Sequence, residues 1–233
     1  MNSRNLNTGL PDSMISQDMQ TASDTAEARL VAINDRLKTG NLTDEELLRA
    51  YLDKTRLLIE VDKKTEAWEL ARATFDAYME KQDYEGAVDA CDALFLTEQD
   101  ASLPALGMGV WLGVTFPIDP DLTVAMLQHI IDETPDDADG AAVAAATAHY
   151  IADIRSNEQQ RDKLMFFTNQ MLGNVARRHS QVETQEQYEF WINKMELNDP
   201  AKFLIRLRNV VDVLVQDDWW FERDALQTEI PDN

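Results

Sequence analysis

Three histidines are the side chains of this chain that titrate nearest neutral pH, and two of them stand at helical spacing from carboxylates. His129 precedes Asp132 and Glu133 by three and four residues, and His149 precedes Asp153 by four. That spacing puts imidazole and carboxylate on one face of a helix, the arrangement from which a metal site can be built. A helical hairpin turning near Pro135 would set residues 141–143 level with His129, leaving His149 about 10 Å further along by helical rise. His129, Asp132, Glu133, His149 and Asp153 therefore form an alternative metal set whose two imidazoles would not share one ion. His179 follows Arg177 and Arg178 and reads as part of a basic helix end, which the helix dipole favours. Cys91 shares an apolar face with Val88, Leu94 and Phe95 and reads as a buried small hydrophobe.

Other patterns carry less chemistry. Gly107, Gly109 and Gly113 lack the Lys-Ser or Lys-Thr that completes a phosphate-binding loop, so they read as sites of close helix approach, as does the alanine-rich run 141–148. Adjacent carboxylates such as Asp136-Asp137 and Asp217-Asp218 are unremarkable in a chain with 43 acids. No catalytic set is expected and no cofactor. An enzyme is the less favoured reading.

With 233 residues and 44% hydrophobic composition, the chain can bury roughly 70% of its unfolded surface without disulfides or metals. Its single cysteine fits a reducing compartment, and the expected location is cytoplasmic. Residues 1–22 hold one base, Arg4, and no apolar run, which suggests a flexible N-terminal tail rather than a secretory signal. The most apolar windows, near 103–116 and 141–148, are too short to span a bilayer, so no membrane association is expected.

The formal charge of −22 is regional: residues 83–158 hold fifteen Asp or Glu against Arg155 alone. Such a field repels phosphate backbones and anionic lipid, so direct nucleic-acid binding is not expected, and it favours a protein partner with a basic surface. It also admits a second alternative, an acidic mimic of nucleic acid.

Most of the chain reads as helix. Thr43 with Glu46, Ser156 with Gln159 and Thr184 with Gln187 form capping boxes, while Asp119-Pro120 and Asp199-Pro200 place a cap acceptor before a first-turn proline. Apolar residues recur at helical spacing, as in Leu164, Phe167, Met171, Leu172 and Val175. The expected helices lie near 23–39, 43–62, 64–81, 84–97, 101–115, 120–133, 138–155, 158–178, 184–196, 200–216 and 218–227. Short connections make successive helices antiparallel neighbours. One all-helical domain is expected over 23–233, with a repeating core at about 43–155 and a C-terminal portion over 156–233.

The stretch DYEGAVDACDALFLTEQD at 83–100 matches DPDLTVAMLQHIIDETPD at 119–136 with an offset of 36 residues. Asp83 falls on Asp119, Val88 on Val124, Cys91 on Leu127 and Leu94 on Ile130, and in the preceding helices Phe75 falls on Trp111. A helix pair repeating at this period marks an α-solenoid.

Asp83-Tyr84-Glu85-Gly86-Ala87-Val88 resembles the start of the second helix of a tetratricopeptide repeat, with Ala71, Phe75 and Tyr78 as counterparts in the first helix and Pro135 at the end of the unit. The resemblance covers about residues 64–136. The Trp, Leu and Gly usual in the family's first helix are not at their places around 71–75, and Thr123 replaces the packing Ala of the second copy. The resemblance implies an all-α fold of stacked antiparallel hairpins, a TPR-like solenoid that holds another protein as adaptor or assembly factor. The first helices of such pairs line a groove, which nominates Arg72, Asp76, Met79, Met108 and Trp111 as partner-binding residues.

The C-terminal portion departs from the repeat. Phe203, Leu204, Leu207, Val210, Val211 and Leu214 form an apolar stripe for a helix closing the last hairpin, and Trp219, Trp220 and Phe221 follow. On a helix, adjacent residues point about 100° apart, so one face cannot bury all three rings. Trp219 and Trp220 are therefore further candidates for partner binding, and Lys202, Arg206 and Arg208 could pair with a second copy in a homodimer.

Overall fold

The computed structural model describes residues 12–228, with side chains from residue 25 onward. Eleven helices run through them, with no strand among the described residues: α1 (Asp12–Lys38), α2 (Asp44–Glu60), α3 (Lys64–Glu80), α4 (Tyr84–Leu96), α5 (Ser102–Thr115), α6 (Pro120–Glu133), α7 (Asp139–Arg155), α8 (Glu158–Ser180), α9 (Gln185–Lys194), α10 (Pro200–Val215) and α11 (Arg223–Gln227). Among the described residues, no helix is long and apolar enough to cross a membrane.

Helix starts follow local chemistry. The Thr43–Glu46 and Thr184–Gln187 capping boxes are both closed, and Asp119 and Asp199 accept from the backbone N–H two residues on, each ahead of a first-turn proline. The cap of α8 falls one residue later than expected: the Asn157 side chain accepts from the N–H groups of Gln159 and Gln160, while the Ser156 hydroxyl is buried without a partner. Helix α1 begins at Asp12, inside the stretch expected to be a loose tail. Residues 1–11 of that tail lie outside the described residues.

Helix ends use an unexpected device. Asp62, Gln82, Glu98, Gln181 and Glu196 follow α2, α3, α4, α8 and α9 in the left-handed conformation that glycine usually supplies. After α2, the Lys63 N–H bonds the Leu58 carbonyl at 2.8 Å and the Asp62 N–H bonds Ile59 at 3.0 Å, a double bond pattern that satisfies two orphan carbonyls.

The helices form two layers. In one, α2, α4, α6 and α8 touch in series; in the other, α3, α5 and α7 each pack against the even helix before and after. Arginines tie each layer along its length: Arg155 on α7 donates to the Gly113 and Val114 carbonyls at the end of α5, and Arg178 on α8 donates to Ile131 at the end of α6, each at 2.6 Å. Burial works against the Arg155 charge and pushes its pKa down.

Small residues set the spacing, as expected. A Cβ on Gly86 would lie 2.3 Å from the Tyr78 ring, which closes α3 on α4. A Cβ on Gly109 would meet Met126 and Cys91, and residues 141–148 are buried throughout. Cys91 is fully buried and its thiol pKa is pushed up by that burial.

Helix α10 covers the α7 side of the last hairpin and reaches beyond it. It turns back onto α5 and α7, with Val215 fitted against Gly107, where an added Cβ would stand 2.5 Å away. Helix α9 packs beside α8, where its buried Trp191 donates from Nε1 to His179 at 3.3 Å.

Candidate partner-binding groove

The chain leaves α10 at Gln216, which takes φ 52° and ψ −119°, and residues 217–222 run on without helical structure. The helix expected over 218–227 is therefore only α11, and the three aromatics precede it in irregular chain. Freed from helical geometry, all three rings reach the odd layer. Trp220 stands edge-on to Phe75 and Trp68 of α3, with ring centroids 5.3 and 6.1 Å away. Trp219 stands edge-on to Trp111 of α5 at 6.1 Å. Phe221 bridges the two helices, 5.4 Å from Trp111 and 6.4 Å from Phe75. Edge-on contacts of this kind contribute about 0.5–1.5 kcal/mol each beyond the area they bury.

Two guanidinium groups complete the cluster. Arg72 lies 4.1 Å over the Trp220 ring and is held on its other side by Asp76, one helical turn along α3. Arg223 lies 4.0 Å over Trp219 and bonds Asp212 of α10 at 2.6 Å, which pins the far end of the segment to the helix it came from. The surface nominated for a partner thus accepts a linear aromatic segment, and the segment it holds is the chain's own.

Of the seven nominated residues, Arg72, Asp76, Trp111, Trp219 and Trp220 come together here. Met79 is half-buried against the core, and Met108 is fully buried, so Met108 offers no accessible surface. Sequence reasoning missed Trp68, Phe75 and Arg223 as parts of the cluster. The signal for Trp68 and Phe75 was available: with Arg72 they lie at 68, 72 and 75, one stripe of α3. Nothing in the sequence places Arg223 on Trp219.

The alternative metal set is dispersed. His129 Nε2 meets Asp92 Oδ1 at 2.9 Å, in a chain of polar contacts that runs from Arg56 on α2 through Asp89 and Asp92 on α4. Burial opposes the Arg56 charge, but those two carboxylates outweigh it and raise its pKa. His149 Nδ1 meets the Thr168 hydroxyl at 3.0 Å, and burial lowers its pKa. Asp132 accepts from Gln128, Glu133 is exposed, and Asp153 pairs with Arg161. Among the described residues, no group of three or more His, Cys, Asp or Glu side chains is placed to hold a metal ion.

The C-terminal bases are engaged within the chain. Lys202 pairs with Glu196, Arg206 donates to the Met195 carbonyl and to Asp139, and Arg208 lies 3.8 Å from Asp212. Much of the acidity likewise does local work, since Asp83 and Asp119 cap α4 and α6, and Glu85 accepts the Asp119 N–H.

No protein-family model matches the chain, and no similar protein was found among curated proteins or solved structures.

Proposed function

We propose that this chain is a non-enzymatic, TPR-like scaffold that holds a linear segment of a partner protein across α3 and α5, as an adaptor or assembly factor. The observation that carries this reading is the aromatic cluster of Trp68, Arg72, Phe75 and Trp111, in which the buried Phe75 and Trp111 are met by the non-helical residues 219–221 through their side chains. Rigid aromatic rings and a stacked arginine on paired helices are the residue types that dominate binding energy at protein interfaces. The helix pairs repeating at 36 residues support the scaffold part of the reading, because stacked hairpins set the first helices of successive pairs side by side. The acidic middle third favours a partner whose surroundings are basic.

The test is co-purification with the full chain from its own host, comparing wild type with Arg72→Glu at about physiological salt. The reading expects a partner in near-equal amount with wild type and its loss with Arg72→Glu, while the helical circular dichroism of the two is the same. An identical set of retained proteins for both chains would defeat it.

A further inference from the structure

We infer that the groove is a receptor for a partner segment with the aromatic chemistry of residues 219–221, Trp-Trp-Phe, and that the chain's own copy of this sequence closes it until such a segment displaces it. The inference rests on the scaffold reading above and names both its ligand class and its regulation.

The segment packs on the edge of the core, against the buried rings of Phe75 and Trp111, and is itself only partly buried there. Its three rings reach the partner surfaces of two separate helices, yet Trp219, Trp220 and Phe221 each stay only half-buried, and α11 beyond them has no buried residue. Its own backbone bonds are local: the Asp218 N–H goes to the Val215 carbonyl and the Leu226 N–H to Glu222, and among the described residues no backbone hydrogen bond joins 217–228 to α3 or α5. Ring contacts and one stacked arginine therefore hold it to the groove, and an identical set of side chains from another molecule would meet the same partners. Its ion pair is with α10, through Arg223 and Asp212, so release from the groove breaks no charge pair of α3 or α5.

The departure point sets how the rings are presented. Gln216 leaves α10 at φ 52° and ψ −119°, a positive-φ backbone that costs a non-glycine residue about 1–3 kcal/mol. A segment leaving α10 as continued helix would carry its rings about 100° apart and could not present them to one surface.

Tethering makes the internal copy a strong competitor. A short connection gives an effective concentration in the millimolar range, so a free segment with the same contacts binds far more weakly to the closed chain than to an opened one. The apparent affinity falls by the fraction of chains that are open.

The experiment measures binding of a fluorescein-labelled peptide of residues 216–228 to the full chain, by anisotropy. Wild type is compared with Trp219→Ala/Trp220→Ala, which removes the internal anchors, and with Arg223→Ala, which unpins the segment and leaves its rings in place. The expected result is binding at least ten-fold tighter to the double variant than to wild type, with Arg223→Ala between them, and loss of that binding when Arg72→Glu is added. Arg223→Ala decides the question if the double variant loses helical signal. Equal affinity for all chains would show that the segment does not close the groove, overturning the inference and leaving the scaffold reading intact. Absence of binding to every variant, with helical signal retained, would show that α3 and α5 do not receive such segments, overturning both.

Discussion

Helices α3 and α5 occupy equivalent places in two consecutive pairs, yet they carry opposite surfaces. At the 36-residue offset, Ala71 matches Gly107, Arg72 matches Met108, Phe75 matches Trp111 and Asp76 matches Leu112. The ring position is kept, and both rings meet the C-terminal segment. Around it, the charged pair of α3 becomes a pair of fully buried apolar side chains on α5, and alanine becomes glycine. Helix α10 packs on α5, where Val215 meets Gly107, and α3 has no comparable packing against it. A repeated sequence pattern therefore does not give a repeated environment, because the last part of the chain returns to one unit and passes by the next.

Exchanging the equivalent residues breaks the comparison most severely. Leu112→Asp places a charge where the side chain is fully buried and is expected to cost about 4 kcal/mol or more, enough to unfold a marginal domain. Asp76→Leu removes only a partly exposed pair with Arg72 and is expected to change stability by about 0.5 kcal/mol. Urea denaturation of the two variants checks the contrast, and equal effects would contradict it.

Glycine substitutions give a smaller contrast. In Gly107→Ala the new Cβ meets Val215 at 2.5 Å and Leu214 at 3.2 Å, so overpacking against α10 is expected to cost about 1–3 kcal/mol. In Gly173→Ala the nearest atoms are those of the Arg177 guanidinium at 3.8 Å, and the gain in helix propensity is expected to stabilise by about 0.5–1 kcal/mol. Melting temperatures should move in opposite directions.

The ends of the two helices also differ. Gln82 after α3 is left-handed, whereas its counterpart Ile118 lies buried after the extended Phe116. Gln82→Gly is expected to stabilise by up to about 1 kcal/mol, since glycine adopts this conformation without a steric penalty. Ile118→Gly removes a core side chain and should do the reverse. Denaturant midpoints for the pair decide it.

The smallest expected effect extends the comparison to α7, the third odd helix, where His149 faces Thr168. Burial lowers its pKa below the ordinary 6.5, with the nearby Asp153 acting in the opposite direction. The unfolded chain therefore binds more protons than the folded one as pH falls from that value, so the contribution of neutral His149 is present above it and lost as pH drops through the folded pKa. His149→Gln should flatten the slope of melting temperature against pH over that window; an unchanged slope would assign it to other groups.

Much of the fold was legible because helix signals are local. Each of the eleven expected helices has a counterpart, and the capping boxes at Thr43 and Thr184 lie where their Ser/Thr-to-Glu/Gln spacing put them. The ends were less legible, because Asp, Gln and Glu stand where glycine would have marked the left-handed turn, while glycines such as Gly86 and Gly107 sit inside helices to admit a neighbour. In the groove, Arg72, Trp111, Trp219 and Trp220 could be nominated from residue type and repeat position. Their meeting could not, since Trp220 and Phe75 are far apart in the chain and no spacing rule connects them.

By itself, then, the amino-acid sequence determined the helical class, the pairing of neighbouring helices and the 36-residue repeat, since these rest on hydrogen bonds and apolar periodicity within a few tens of residues. Tertiary structure alone decided that α10 folds back onto α5 and α7, that residues 217–222 leave the helix, and that their rings fill the odd layer. Those outcomes depend on which of several apolar surfaces the C-terminal stripe covers, a choice set by shape: Gly107 lets Val215 approach, and Trp68, Phe75 and Trp111 leave room for the rings that follow.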